Sequence, residues 1–417
     1  MPDLDTIVAS LAQTADRLPL AEYGAAPAKR YVLVSVDDHL FEPRDVFENR
    51  MPAKFADRAP RVVQDEHGRD AWLFEDTRVP ISGANALKSW TPEHYTLGPV
   101  NYDDVRTAMW DVGHRVDDMT HAGILASLCF PSQVFGFAGT RFMTFQDHEL
   151  ALAAMRAYNS LLLDDWTGAY PERFIPSQVA WLLDADIAAD EIQRNSERGF
   201  HAVSFTENPE PLGLPSLHSG YWDPFFRACE ETNTVINLHV GSSGMTLQPS
   251  SDSPLEVASA LFTVSAVAAA VDWVYSRIPV RFPDLKIVLS EGGIGWIPML
   301  LDRFDYLASE WVPEGPSHTW TGVDVTPREA FLRNFWFTAY YDPSALRHLD
   351  EIGVDNVMYE SDYPHADSSW PDTQLSLAEQ FRDLDEVTID RITFKNACEL
   401  YQHPLPTKQR VREFLSS

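Results

Sequence analysis

Two aspartates and a histidine close an apolar run in YVLVSVDDHLFEP, residues 31–43. A strand that only packs in a core would end in turn residues. Asp37, Asp38 and His39 are instead groups costly to bury and useful to display. Comparable placements recur along the chain: Glu207 in SFTENP, His239 in NLHVGSSG, Glu291 in LSEGGIGW, and Asp362 and His365 in YESDYPHAD. Two neutral imidazoles with three or four carboxylates suit a divalent transition metal such as zinc, manganese or iron, one or two per chain. Carboxylates gathered without a cation would be strongly destabilising or would take up protons. A bound ion removes that penalty and lowers the pKa of a coordinated water.

Widely separated residues need a scaffold that brings them together. Eight short runs read as strands: residues 31–37, 124–130, 174–182, 201–206, 235–240, 286–290, 335–341 and 357–361. Most are rich in β-branched or aromatic residues and are followed closely by Gly, Pro, Asp or Asn. Helical patterns lie between them at 147–166, 184–199, 254–278 and 343–353, the last opening after Asp342 with Pro343 and stopping at Gly353. This alternation predicts an α/β fold with a parallel sheet, closed as a (β/α)₈ TIM barrel. A doubly wound open sheet is the fallback, but no GxGxxG supports it. In a parallel barrel every strand's C-terminal end faces one rim, and Asp37 and His39, two apart, share a side of their strand. Residues 42–123 are too long for one βα loop and read as an insertion over the barrel mouth. The expected organisation is an N-terminal arm (1–30), the barrel (31–401) and a C-terminal tail (402–417).

Composition narrows the function classes. The 417 residues are 45% hydrophobic, enough for a sizeable core, and carry a net charge of -30. Such an acidic surface argues against nucleic acid and anionic lipid as partners and favours solubility; a small-molecule substrate is the expected partner. No apolar run reaches membrane-spanning length, and the N-terminus lacks a basic stretch before an apolar one. Cys129, Cys229 and Cys398 are far apart in apolar settings and read as buried thiols of a reducing, cytoplasmic compartment. The apolar segment 254–278 is either buried or the face of a possible homodimer.

Each polar residue has a plainer reading. Glu207 could cap the next turn, Asp362 could bond the Tyr363-Pro364 turn, and Asp38 is expected exposed or supporting its neighbours. His94, His114, His121, His201, His218 and His348 read as structural or surface. Coincidence across strands one, four, five, six and eight favours the metal.

The segments VDDHLFEP, RVDDMTHAGILASLCFPS, SFTENPEPLGLPSLHS, NLHVGSS, RFPDLKIVLSEGGIGWIPMLLDR, ESDYPHADSSWP and KNACELY together resemble the amidohydrolase-2 (aminocarboxymuconate-semialdehyde decarboxylase-like) branch of the metal-dependent amidohydrolase superfamily. The resemblance runs from about Tyr31 to Tyr401. It implies a distorted TIM barrel with a metal centre at the strand ends, and either hydrolysis or non-oxidative decarboxylation. By that resemblance the metal pair of strand one falls on Asp37 and His39, the strand-five ligand on His239 and the strand-eight ligand on Asp362. Strand one has Asp-x-His where many members have His-x-His or Glu-x-His. Glu291 stands where decarboxylases of the family usually place a histidine. With Glu207 and Glu291 added as ligands the site would hold two metals; otherwise Glu291 is a general base beside one.

The leading expectation is therefore a metal-dependent hydrolase of an ester, thioester, lactone or amide. Asp362 would take the proton of the activated water, Glu291 is the second candidate for that task, and His365 would contact substrate or the developing oxyanion. Trp90, Trp110, Phe135, Phe137, Trp296 and Trp370 could line a large apolar pocket, with Trp296 and His365 as substrate contacts. The runner-up is a decarboxylase of an aromatic or unsaturated acid. A non-catalytic binding barrel is the third reading.

Overall fold

The structure is a computed structural model that describes residues 20–24, 27, 29–245, 247–310 and 320–416. Most of the expected N-terminal arm lies outside them. The chain divides into two compact units, Met1–Val179 with Ser361–Glu379 and Pro406–Ser417, and Ala180–Glu360 with Gln380–Leu405.

In the first unit β1 (Leu33–His39) is followed by a meander, β2 (Arg61–Gln64), β3 (Asp70–Phe74) and β4 (Thr77–Pro80), then by β5 (Ile124–Phe130), β6 (Phe174–Ile175) and β7 (Ser177–Val179). β1, β5 and β6 are hydrogen-bonded in parallel, whereas β2, β3 and β4 pair antiparallel within the expected 42–123 insertion. The second unit holds β8 (Ala202–Thr206), β9 (Val235–His239), β10 (Ile287–Ser290), β11 (Phe335–Ala339) and β12 (Val357–Tyr359), parallel and paired in sequence order. Every residue of β1, β5, β8, β9 and β10 is buried. This is why these strands read as continuous apolar runs rather than alternating ones. All eight expected strands are present, and the fold is the (β/α)₈ TIM barrel.

Departures from expectation have local causes. The third run is split between β6 and β7 at Pro176, which has no N–H for a ladder. The 254–278 pattern breaks at Leu261 into helices Leu255–Ala260 and Phe262–Tyr275. The second buries Ala266, Ala269, Ala270, Trp273 and Val274, while Val264 and Ala268 face solvent. No helix among the described residues is long and apolar enough to cross a membrane.

The helix Val112–Ala122 leads into β5. Asp111 caps its first turn by accepting from His114 N, and Gly123, at φ 80°, closes its last turn. A side chain at Gly123 would come within 2.2 Å of Gln374 Nε2 and 2.8 Å of Tyr31 O, so the position requires glycine. In the second unit, motif KNACELY ties strands together: Asn396 donates to the carbonyls of Val354 and Val357, and Tyr401 donates to Asn237 Oδ1 on β9 at 2.5 Å.

After β1, Glu42 is buried with its two oxygens on Ser132 N and Oγ, at 2.9 and 2.6 Å. Burial pushes its carboxyl up to about 7, although these bonds oppose the shift. The folded chain thus keeps a proton here that the unfolded chain releases at lower pH. This stabilisation is complete in acid and is lost as pH rises through about 7, a change of about 3 kcal/mol. Denaturant unfolding at pH 5 and pH 8 is expected to show wild type losing stability relative to Glu42→Gln as pH rises; a difference independent of pH would contradict this.

Candidate metal centre

β1 delivers three consecutive polar side chains. Asp38 points away from Asp37 and His39 and is fully buried rather than exposed. Its carboxylate accepts from Ser35 Oγ (3.1 Å), Ser361 Oγ (2.5 Å), Tyr363 N (3.1 Å) and Ser127 Oγ of β5. Burial raises its pKa, opposed by the Arg115 charge and these donors. Asp38 thereby fastens the turn after β12 to the end of β1. Backbone bonds complete the seam: Asp362 N donates to Asp37 O at 2.9 Å and His39 N to Tyr363 O at 2.7 Å.

That seam sets Asp37, His39, Asp362 and His365 together. His39 Nε2 lies 3.4 Å from Asp37 Oδ1 and 3.4 Å from Asp362 Oδ1, and His365 Nδ1 lies 3.2 Å from the same Asp362 oxygen. The two imidazoles stack with centroids 3.7 Å apart, and Phe137 stands 4.8 Å from His39 and 5.6 Å from His365. Burial pushes His39 down to about 3 and lowers His365, while it pushes Asp362 up to about 6. With neutral rings these contacts are not ion pairs.

Hydrogen bonding fixes which way His39 faces. Its Nδ1 is 3.4 Å from the Pro131 carbonyl, which can only accept, and this contact is a hydrogen bond in the tautomer that carries its proton on Nδ1. Nε2 then turns a lone pair toward two carboxylate oxygens. Both Asp362 oxygens are buried, and His365 Nδ1, 3.2 Å from Oδ1, is placed to donate to one of them while His39 Nε2 is not. Acceptor facing acceptor in a dry interior is unfavourable unless a cation lies between them. Donors ~2.1 Å from one ion stand about 3.0–3.5 Å apart, so the observed separations fit. The nitrogen and oxygen donors suit zinc, manganese or iron. His39, Asp362 and His365 are also close enough to share an ion.

In the second unit the pattern recurs. His239, at the end of β9, approaches the Val240 carbonyl through Nδ1 at 2.7 Å and faces Glu291 Oε2 through Nε2 at 3.3 Å. Glu291 has left-handed backbone (φ 58°), and its N–H reaches Thr338 Oγ1 (3.0 Å) and Glu360 Oε2 (3.2 Å). Glu207 is engaged differently. Oε1 accepts from Gly241 N (3.1 Å) and Ser243 Oγ (2.8 Å), and Oε2 from Ser243 N (2.8 Å) and Ser242 Oγ. Four donors occupy its lone pairs, the geometry of a loop clamp rather than of a metal ligand.

The expected aromatic lining is mostly core. Trp90, Phe135 and Trp370 are buried, and Trp296 packs against Phe331 and Phe337 with its N–H on Gly292 O. Of the six, Phe137 stands against the His39–His365 pair. Of the two readings offered for Asp38, support of its neighbours is the one its contacts match, whereas Glu360 and Arg115 are contributions that strand-end reasoning did not assign. A serine in each of two otherwise apolar strands, Ser35 and Ser127, was the available signal for Asp38.

The family profile described as Amidohydrolase matches residues 50–402. The chain belongs to this family. The match begins after Asp37 and His39, so those two rest on the geometry above. Among solved structures, an amidohydrolase from Mycobacterium avium subsp. paratuberculosis K-10 is 23% identical, with a TM-score of 0.68 over 90% of this chain and 100% of its own. The 5-carboxyvanillate decarboxylase of Sphingomonas paucimobilis is 21% identical, with a TM-score of 0.58 over 89% and 99%. A dihydroxybenzoic acid decarboxylase from Polaromonas sp. JS666, with bound manganese and 2-nitroresorcinol, is 17% identical, with a TM-score of 0.60 over 89% and 97%. No curated protein sequence matches the chain. At these identities the likeness establishes the fold.

The two kinds of carboxylate respond differently to substitution. Asp362→Ala is expected to abolish binding of one equivalent of divalent metal, measured by elemental analysis after Mn²⁺ loading. Glu207→Gln should keep that equivalent and lose about 1–3 kcal/mol of stability through its unmet donors. A folded Glu207→Gln protein that loads no metal would make Glu207 a ligand.

Proposed function

We propose that the chain is a metal-dependent, non-oxidative decarboxylase of an aromatic carboxylic acid. The observation that carries this is the burial of the whole carboxylate–imidazole group: Asp37 and Asp362 are 0% exposed, His39 1% and His365 7%. Decarboxylation disperses the charge of a carboxylate, so a water-poor site favours it, whereas hydrolysis needs water as a reactant. The decarboxylases of similar fold, one of them with manganese, support the reading.

A divalent ion held by Asp37, His39 and Asp362 would bind the substrate carboxylate and withdraw charge from its ring. Phe137 offers an apolar wall beside the imidazole pair. As the bond to the carboxylate breaks, its electron pair stays on the ring carbon, which takes a proton from the Asp362 carboxyl, and carbon dioxide leaves. His365, whose Nδ1 is 3.2 Å from Asp362 Oδ1, would relay to that carboxyl a proton taken up from solvent, which restores the starting state.

A second reading, hydrolysis of an ester, thioester, lactone or amide, is favoured by Glu291 beside His239, a carboxylate able to serve as general base. Manganese-loaded protein should be given dihydroxybenzoic and carboxyvanillic acids, and a panel of esters, lactones, thioesters and amides, in deuterated water. Carbon dioxide release with deuterium at the vacated carbon, slowed at least ~100-fold by Asp362→Asn, is the expected result. Turnover of the acyl panel without carbon dioxide would overturn it.

A further inference from the structure

The helix Val112–Ala122 carries Arg115, whose side chain is fully buried. Arginine in such a place is rare unless its charge and donors are engaged. Its Nε donates to the Ala108 carbonyl at 2.9 Å, and its Nη2 donates to the His39 carbonyl. Its Cζ lies 4.6 Å from the Tyr363 ring centroid and 5.7 Å from that of Trp166. Nη1 is buried with no hydrogen-bond partner among the described residues.

These contacts fall on both strands of the seam. His39 belongs to the end of β1, and Tyr363 follows Asp362. The seam's backbone bonds, Asp362 N to Asp37 O and His39 N to Tyr363 O, leave the His39 carbonyl and the Tyr363 ring face for a third element. Arg115 takes both, one through a charge-assisted hydrogen bond and the other through the face of its guanidinium. Tyr363 is held further by its hydroxyl, which donates to Asp118 at 2.8 Å. Asp118 in turn pairs with Arg106 at 2.6 Å. We infer that Arg115 is a positioning residue for the metal site: it locks His39 and Asp362 at one separation without touching the ion or the substrate. The inference rests on the metal reading of Asp37, His39 and Asp362.

The arrangement asks for arginine specifically. Lysine would keep the charge and reach one carbonyl, but it has neither the fork nor the plane. Residues that orient ligands in this way typically affect metal affinity by about 10–100-fold. Arg115→Lys is therefore expected to raise the Kd for Mn²⁺ by about that factor. It should also broaden the EPR signal of the bound ion as the ligands lose a single arrangement. Tyr363→Leu, which removes the plate but keeps the arginine, should move both readouts in the same direction.

Gln374→Ala supplies the control for general destabilisation. Gln374 accepts from Tyr31 N and donates to the carbonyls of Tyr31 and Ala122, with no bond to the ligand residues. Its loss should lower the Tm and leave the Mn²⁺ Kd unchanged. Mn²⁺ affinity would be measured on each variant shown by circular dichroism to be folded. Wild-type Kd in Arg115→Lys, or in Tyr363→Leu if the lysine variant does not fold, would overturn the inference while leaving the metal site standing. A wild-type protein that binds no Mn²⁺ would overturn both together.

Discussion

A carboxylate taken out of water needs its oxygens satisfied, and the candidate site is built around that requirement at Asp38. Four donors from three separate stretches, Ser35, Ser127 and the Ser361–Tyr363 turn, converge on its two oxygens. Oδ1 takes three of these donors, from Ser35, Ser361 and Tyr363, and Oδ2 takes Ser127 Oγ, so a shift of β5 would leave Oδ2 unmet and a shift of the other two stretches would strip Oδ1, which costs more than the hydrogen bonds themselves contribute. The position of Asp362 follows from this constraint, because Asp362 lies between two of the donors. Hydrogen bonding to a buried anion is thus what turns a flexible strand-end turn into a fixed ligand arm.

The device is repeated. Glu207 holds the backbone of Gly241 and Ser243 just after β9, Glu360 accepts from Glu291 N just after β10, and Asp342 accepts from Ile294 N at 3.3 Å in the same turn. Each clamp secures a segment that presents a chemically useful side chain. Two of those side chains, Glu291 and Asp362, have left-handed backbone at φ 58° and 51°. Such conformations cost about 1 kcal/mol or more for a residue with a Cβ and persist where the surroundings over-determine them. The clamping carboxylates are those surroundings.

This division of labour explains what could be read from the sequence. Strands of a parallel sheet are buried on both faces, so their apolar runs were legible, and the runs placed Asp37, His39, His239, Glu291, Asp362 and His365 at strand ends. Which acidic residue faces an ion and which faces a turn was not legible. Glu207 and Asp362 both follow apolar runs, and only the donors of Gly241, Ser242 and Ser243 tell them apart. For Asp38 the sequence left open exposure or support of its neighbours, because two of its partners are serines 89 and 323 positions away. Arg115 opens one of the segments that carry the family resemblance, but nothing in its type or place assigned it a role, since an arginine in a polar helix is ordinarily solvated.

The imidazole pair narrows what can balance the charge of the first group. His39 and His365 stack at 3.7 Å with an interplanar angle of 22°, and two imidazolium rings so placed in a dry interior would repel each other strongly. At most one of them can be cationic, and the proton on His39 Nδ1 is directed to Pro131 O, away from the carboxylates. With both rings neutral, Asp37 and Asp362 are matched either by a proton on a carboxyl or by a cation from outside the chain. A proton on one oxygen would relieve one of the two close contacts to His39 Nε2; a divalent ion relieves both. The symmetry of those contacts, 3.4 Å each, is what an arrangement evolved for the ion would show and one evolved for a shared proton would not need.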